Sequence, residues 1–274
     1  MKPALRRGYV GLLLCLLCSQ TANAWSNIGH RITGLIAESL LTNAAHRQIE
    51  QLLGEQSLSI AATHMDTYRT ALAQRWPESD RWHYDNQPVC QHRDYCADGN
   101  CATRQIALFR KQLANREASL SERALALRLL VHMLGDIHQP LHMADNADRG
   151  GNSLQVRLYA GGDQYPLHEV LDSVLIKQLQ GSMRIKNYAA SLQQRYQGEF
   201  AHWQHGTIQD WAKQSHTLAV QQVYGRLPGF ACGHQQNSTL TLSADYVSAA
   251  KTYLPEQLAK AGARIAQVLN STLK

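Results

Sequence analysis

The stretch Leu120-Ser-Glu-Arg-Ala-Leu-Ala-Leu-Arg-Leu-Leu-Val-His-Met-Leu-Gly135 constrains this chain most. It is dense in strong helix formers, and Pro140 stands just beyond it as a stop. At its end sits His132-x3-Asp136, and Asp136-Ile-His138-Gln-Pro-Leu-His142 follows at once. Residues four apart share one helical face, so His132 and Asp136 can aim a nitrogen and an oxygen at one point. His168-x3-Asp172 repeats the arrangement. A zinc ion takes such nitrogen and oxygen ligands in roughly tetrahedral array. Burying so many ionisable groups without a counter-charge costs several kcal/mol. The fold must therefore bring distant segments to the end of this helix.

Helical periodicity extends over Ile32 to Leu53, Ala102 to Asn115 and Leu254 to Leu273, the last with Pro255 near its first turn. Strand signal is sparse. Asn152 to Tyr159 alternates and Ala160-Gly-Gly-Asp163 follows, which predicts one short hairpin. Asp80 to Asn100 and Ala144 to Asn152 read as loops. With no internal repeat, low-complexity tract or long linker, the pattern predicts a single mainly α domain over residues 25–274, and a monomer.

Residues 1–24 have a basic start, the apolar run Val10 to Cys18 and an Ala22-Asn23-Ala24 end, the pattern of a secretory signal peptide. The apolar run is too short to span a bilayer, which takes roughly 20 residues, so no membrane anchor is expected and the destination is periplasmic or secreted. Cleavage after Ala24 removes Lys2, Arg6 and Arg7, leaving 24 basic against 21 acidic residues, a net of +3. That mild excess permits an anionic substrate without requiring one. Of six cysteines, Cys90, Cys96, Cys101 and Cys232 remain; none has C-x-x-C spacing, so two disulfides are expected, in any of three pairings.

Thirteen histidines are many for this length. Beyond His132, His138, His142 and His168, further donors lie in His64-Met-Asp66 and in Trp82-His83-Tyr84. The mature terminus adds another: a free α-amine has a pKa near 8 and serves as a neutral ligand once deprotonated, and His30 lies five residues beyond Trp25.

Together these residues resemble a family, the zinc-dependent, single-strand-preferring nucleases typified by mung bean nuclease and its fungal relatives (the S-one/P-one type). The likeness runs in family order through Trp25-Ser-Asn-Ile-Gly-His30, Ala61-Ala-Thr-His-Met-Asp66, Trp82-His83-Tyr84, Gly99-Asn100-Cys101, His132 to His142, Gly150-Gly-Asn152, Leu167 to Asp172 and Ala261 to Ala266. The resemblance implies a helical phospholipase C/nuclease-type fold and three Zn2+ ions. It assigns Asp66, His83, His132 and Asp136 to one ion, and His142, His168 and Asp172 to a second. Trp25 (amine and carbonyl), His30 and Asp136 fall to the third, with Asp136 as bridge. His138 fits no set and is expected to orient a ligand from behind. The resemblance also implies disulfides Cys90–Cys232 and Cys96–Cys101. Two positions depart from the family: Leu171 stands where tryptophan is usual, and Gln214 where glutamate is usual.

The implied activity is endonucleolytic hydrolysis of single-stranded DNA and RNA to 5′-phosphorylated products, with removal of phosphate from 3′-nucleotides. Asp66 is the expected proton acceptor, and Arg69 the cation facing the phosphorane. Tyr84 is the expected base-stacking platform, Asn86 a base-edge partner and Asn152 an anchor for a phosphate or for its own loop. The alternatives are a zinc phospholipase C, and a non-catalytic metal-binding envelope protein.

Overall fold

The computed structural model describes residues 25–91, 96 and 98–274; the expected signal peptide lies outside them. The mainly α expectation is met. The first half holds α1 (Asn27–Ser39), α2 (Asn43–Leu53), α3 (Leu58–Ala61), α4 (His64–Thr67), α5 (Arg69–Arg75), α6 (Ala102–Ala114) and α7 (Leu120–Asp136). The second half holds α8 (Leu167–Glu169), which runs through a π-helical turn, Val170–Val174, into α9 (Leu175–Gln180). Then come α10 (Ile185–Tyr196), α11 (Phe200–Trp203), α12 (Ile208–Leu218) and α13 (Ala244–Thr272).

Helix α7 begins at a capping box, Ser119 with Glu122, and ends at Asp136. From Leu129 to Asp136 every residue is buried, so the helix is wrapped on all sides. Pro140 opens a separate 3-10 turn, Pro140–His142, capped by the Gln139 side chain. Two apolar clusters flank this axis. One gathers α2, α3, α6 and α7 around Leu127 and Leu130; the other gathers Trp25, Leu171, Tyr224 and the α13 residues Leu254 and Leu258. Helix α13 lies tightly on α1, since a Cβ added at Gly262 would sit 2.5 Å from the Ile36 Cβ.

Three expectations need correction. The periodic run 32–53 is two helices, because Thr42 leaves helical geometry, accepts the Ala45 N–H through its hydroxyl and donates its own N–H to Asn270 Oδ1. The last helix begins at Ala244, ten residues before the sequence pattern, and carries Pro255 in its interior. An internal proline costs about 3 kcal/mol; burial of Tyr253, Leu254, Pro255 and Leu258 around it offsets that cost. The expected strand 152–159 shrinks to Gln155–Arg157.

The strands are few. β1 (Gln87–Pro88) pairs in parallel with β2 (Ala144–Asp145). β3 (Gln155–Arg157) pairs with β4 (Gln164–Pro166) as the expected hairpin, and β5 (Leu240–Thr241) joins β3 in parallel. The β1–β2 bridge matters for the site, since it clamps one long loop against the other. Both disulfides form as the resemblance implies, Cys90–Cys232 and Cys96–Cys101.

Candidate metal centre

The donors that the sequence scatters over 143 positions converge. His30 comes from α1, Asp66 from α4, and His83 from a 3-10 turn, Ser79–His83. His132 and Asp136 come from α7, His142 from the turn after it, and His168 and Asp172 from the α8 segment. Three groups have ligand atoms mutually within 4.8 Å: His30, Asp66 and His132; His83, His132 and Asp136; His142, His168 and Asp172.

Asp136 is at the middle. Its Oδ1 lies 3.2 Å from His30 Nε2, and its Oδ2 lies 3.0 Å from His83 Nδ1 and 3.2 Å from His132 Nε2. Asp66 stands across from it, 4.0 Å from His30 Nε2 and 3.9 Å from His132 Nε2. The third group is looser: Asp172 is 3.1 Å from His168 Nε2 and 3.9 Å from His142 Nε2.

Backbone carbonyls set the imidazole tautomers. His132 Nδ1 faces Ala62 O, His142 Nδ1 faces His83 O and His168 Nδ1 faces Gly150 O, each at 2.7 Å. A carbonyl only accepts, so each Nδ1 carries a proton and each Nε2 faces inward as the atom that takes either a metal or a second proton. Yet His132 Nε2 and His83 Nδ1 are 3.1 Å apart. His142 Nε2, Asp66 Oδ1 and Asp136 Oδ1 are buried with no hydrogen-bond partner among the described residues. One shared proton relieves one such pair; divalent cations relieve them all. The donor chemistry and these orphaned atoms fit zinc.

The electrostatics agree. Burial disfavours charge on His132, but the Asp136 and Asp66 carboxylates outweigh it and hold that imidazole up at about 9. Burial likewise works against the Asp136 carboxylate, and the surrounding imidazoles nonetheless keep it well below the ordinary range. Burial pushes His142 down to about 4, so it is a neutral donor at physiological pH.

Trp25 is fully buried, donating its indole N–H to Gly135 O at 2.9 Å, while Ser26 N–H reaches Asp172 O. The chain entering α1 is thus pinned between the two ends of the centre. Asp85 and Asn86 donate their N–H groups to His142 O, which holds His83 beside His142. Among the described residues, Asn86, Ala147 and Arg149 are the non-glycine ones with left-handed backbones, and all three lie in the two clamped loops. Gly150 shares that geometry, and a Cβ there would fall 2.6 Å from Leu141 O.

Other expected residues group around this pocket in different ways. Arg69 follows Asp66 on α5 and is oriented by Asp80, Nε to Oδ1 at 2.8 Å. Tyr84 is half-buried, which raises its phenol pKa, and the charged groups around it are Arg81, Asp80, Arg69 and Arg149. Asn152 spends its amide on Arg149 O, anchoring its own turn. His64 stacks on Tyr68 and joins none of the three groups.

The expectation for His138 is wrong. Its Nδ1 bonds Leu134 O and its Nε2 accepts from Arg264, so it faces away from the ligands. The residue behind a ligand is its neighbour: Gln139 donates to Asp172 Oδ1 at 2.6 Å and accepts from Leu141 N at 2.6 Å. A glutamine set between two histidines of an apolar run, ahead of a proline, was the available signal. At the two positions that depart from the family, Leu171 packs in the core and Gln214 accepts from Arg264 Nη2.

A helical scaffold whose core ends in a nitrogen–oxygen pocket centred on one carboxylate defines the class, a metal-dependent enzyme. Comparison with known proteins narrows it. Residues 25–274 match the family model for S1/P1 nuclease. Nuclease S1 of Aspergillus oryzae is 30% identical over 93% of this chain and 94% of its own length. Endonuclease 1 of Arabidopsis thaliana is 28% identical over 94% and 90%, and Nuclease P1 of Penicillium citrinum 28% over 90% and 97%. The chain belongs to the S1/P1 nuclease family, and so is a phosphodiester hydrolase.

Proposed function

We propose that this chain is an exported, zinc-dependent endonuclease that cleaves single-stranded DNA and RNA to 5′-phosphorylated products and also dephosphorylates 3′-nucleotides. The observation that carries this reading is Asp136, whose two oxygens face separate imidazole sets inside a buried pocket of orphaned donors. Asp66, His83, His132 and Asp136 would hold one zinc; the Trp25 amine and carbonyl, His30 and Asp136 a second; His142, His168 and Asp172 a third. When bound, zinc supplies electrophilic charge to a phosphoryl group and makes water more acidic.

The chain's own residues do the rest. Asp66 is 16% exposed where His30, His132 and Asp136 are fully enclosed, so it accepts the proton of the attacking water and releases it to solvent. Arg69, oriented by Asp80, offsets charge growing on the phosphate. Tyr84 stacks on a base, a contact worth about 1–3 kcal/mol, and a duplex withholds its bases from such a platform. Asn86 meets the base edge, and Asn152 steadies the turn that positions Gly150 O.

Export to the periplasm or the medium is supported by the two disulfides and by the family match beginning at residue 25, just after the expected leader. No described helix is long and apolar enough to cross a membrane, and we read the chain as a monomer. The test pairs elemental analysis of the mature protein with release of acid-soluble nucleotides from denatured and duplex DNA, from RNA, and with hydrolysis of phosphatidylcholine micelles. Three zinc ions per chain and fast cleavage of denatured DNA and RNA alone are expected. Zinc-free protein, or equal rates on duplex DNA, would sink the reading.

A further inference from the structure

Away from the metal centre, a cavity of about 690 Å³ opens between α12 and α13, with Trp203 of α11 in its wall. At its base lies the Arg264 guanidinium, only 3% exposed. That group makes three hydrogen bonds, all to neutral acceptors: Nε to Trp203 O at 2.9 Å, Nη1 to His138 Nε2 at 3.0 Å and Nη2 to Gln214 Oε1 at 2.6 Å. A guanidinium has five N–H donors, so one remains on each Nη. Among the described residues no carboxylate pairs with it. Burial alone draws its pKa down to about 10, so the charge persists at neutral pH.

The Trp211 ring lies 5.1 Å from the guanidinium carbon and eases its burial, but a buried cation without a carboxylate partner is still costly, and the neighbours add to it. Lys213 lines the same cavity, exposed and outside any ion pair among the described residues. Lys260 lines it too, its Nζ held by Glu256 at 2.6 Å. The lining carboxylate, Asp210, is turned to the N–H and hydroxyl of Thr207 in a helix cap. The cavity thus has in its lining a guanidinium with one uncommitted N–H on each Nη, and an amine at the rim.

We infer that this cavity is an oxyanion site taking a phosphate-class ligand, with Arg264 as its bidentate base and Lys213 at its mouth. Paired N–H groups of arginine match two oxygens of a phosphate. The occupant is either free phosphate or a backbone phosphate of a strand engaged elsewhere. Arg264 also donates to His138, two residues before Pro140 opens the turn carrying His142, so the cavity abuts the rear of the loop that follows Asp136.

The test uses metal-loaded protein titrated with inorganic phosphate by calorimetry. Gln214→Glu puts a carboxylate where a neutral oxygen now accepts from Arg264, occupying the cation internally with almost no change of shape. Lys213→Glu reverses the charge at the exposed mouth. One phosphate site is expected to weaken by about tenfold or more in both variants, while cleavage of a dinucleotide stays at the wild-type rate. A several-fold rise in KM for a long single strand in these variants identifies backbone phosphate as the occupant; an unchanged KM identifies the free anion. Phosphate isotherms that are identical in wild type and both variants overturn the inference. The calorimetric readout needs no catalysis, so it stands or falls separately from the nuclease reading.

Discussion

Gln139 uses both ends of its amide, donating to Asp172 and accepting from Leu141 N. Replacing it with leucine leaves the ligand set whole but unsteadied. Loss of such an outer partner typically weakens metal binding about 10–100-fold, and we expect that for the His142, His168 and Asp172 group, measured by chelator competition; unchanged affinity removes Gln139 from this role. His132 gives a pH prediction. Its folded value near 9 exceeds the ordinary 6.5, so in metal-free protein its stabilising charge is fully present below pH 6.5 and disappears as pH rises through 9. The Tm of chelated protein should fall over that window, while zinc-loaded protein stays flat. Calorimetry at pH 7 should also register a proton leaving on zinc binding, and no proton release would contradict the assignment. The gathering of His30, Asp66, His83, His132, Asp136, His142, His168 and Asp172 was legible, because metal ligands need particular side chains at particular spacings. What lay hidden was direction. His138 and Gln139 are adjacent, and only the turn of the chain after Asp136 decides which of them faces the ligands.

The loop elements have their own sensitivity. Gly150 combines a positive φ with a carbonyl that orients His168, and it allows no Cβ against Leu141 O. Gly150→Ala should therefore lower Tm and weaken zinc at the His142, His168 and Asp172 group, with little effect at Asp136; equal loss at both groups would contradict this division. Tyr224 bonds the buried Asp148 carboxylate, which in turn accepts the Gly151 N–H. Tyr224→Phe strips that partner at a cost of about 1–3 kcal/mol, read by chemical denaturation. Elements were less legible than residues. The break at Thr42 depends on Asn270, over two hundred positions away, and the helix through Pro255 depends on burial that periodicity does not encode. The hairpin was legible because its turn and alternation are local; β5 was not, since its partner is 84 residues upstream.

Across the whole molecule, the two disulfides differ in reach. Cys90–Cys232 closes 142 residues and Cys96–Cys101 only 5. In the chain-entropy account these restrict the unfolded chain by about 5 and about 2 kcal/mol respectively. Removing the first pair by serine substitution should lower Tm clearly more than removing the second; equal shifts would argue against that account. The mainly α class and the family were legible at this scale, whereas the meeting of two apolar clusters along α7 was not, because it is set by packing between distant helices. The candidate donors come from six separate pieces of chain, so nothing in an unfolded polypeptide can reproduce their pocket. Under the three-zinc reading, each tenfold drop in free zinc takes about 1.4 kcal/mol per saturated ion from the folded state, or about 4 for all three. Against a typical margin of about 5–15 kcal/mol, a few decades of scarcity exhaust it. The protein's survival would then gauge the mineral supply of its surroundings, and starved cells would lose the enzyme to proteolysis before its turnover slowed.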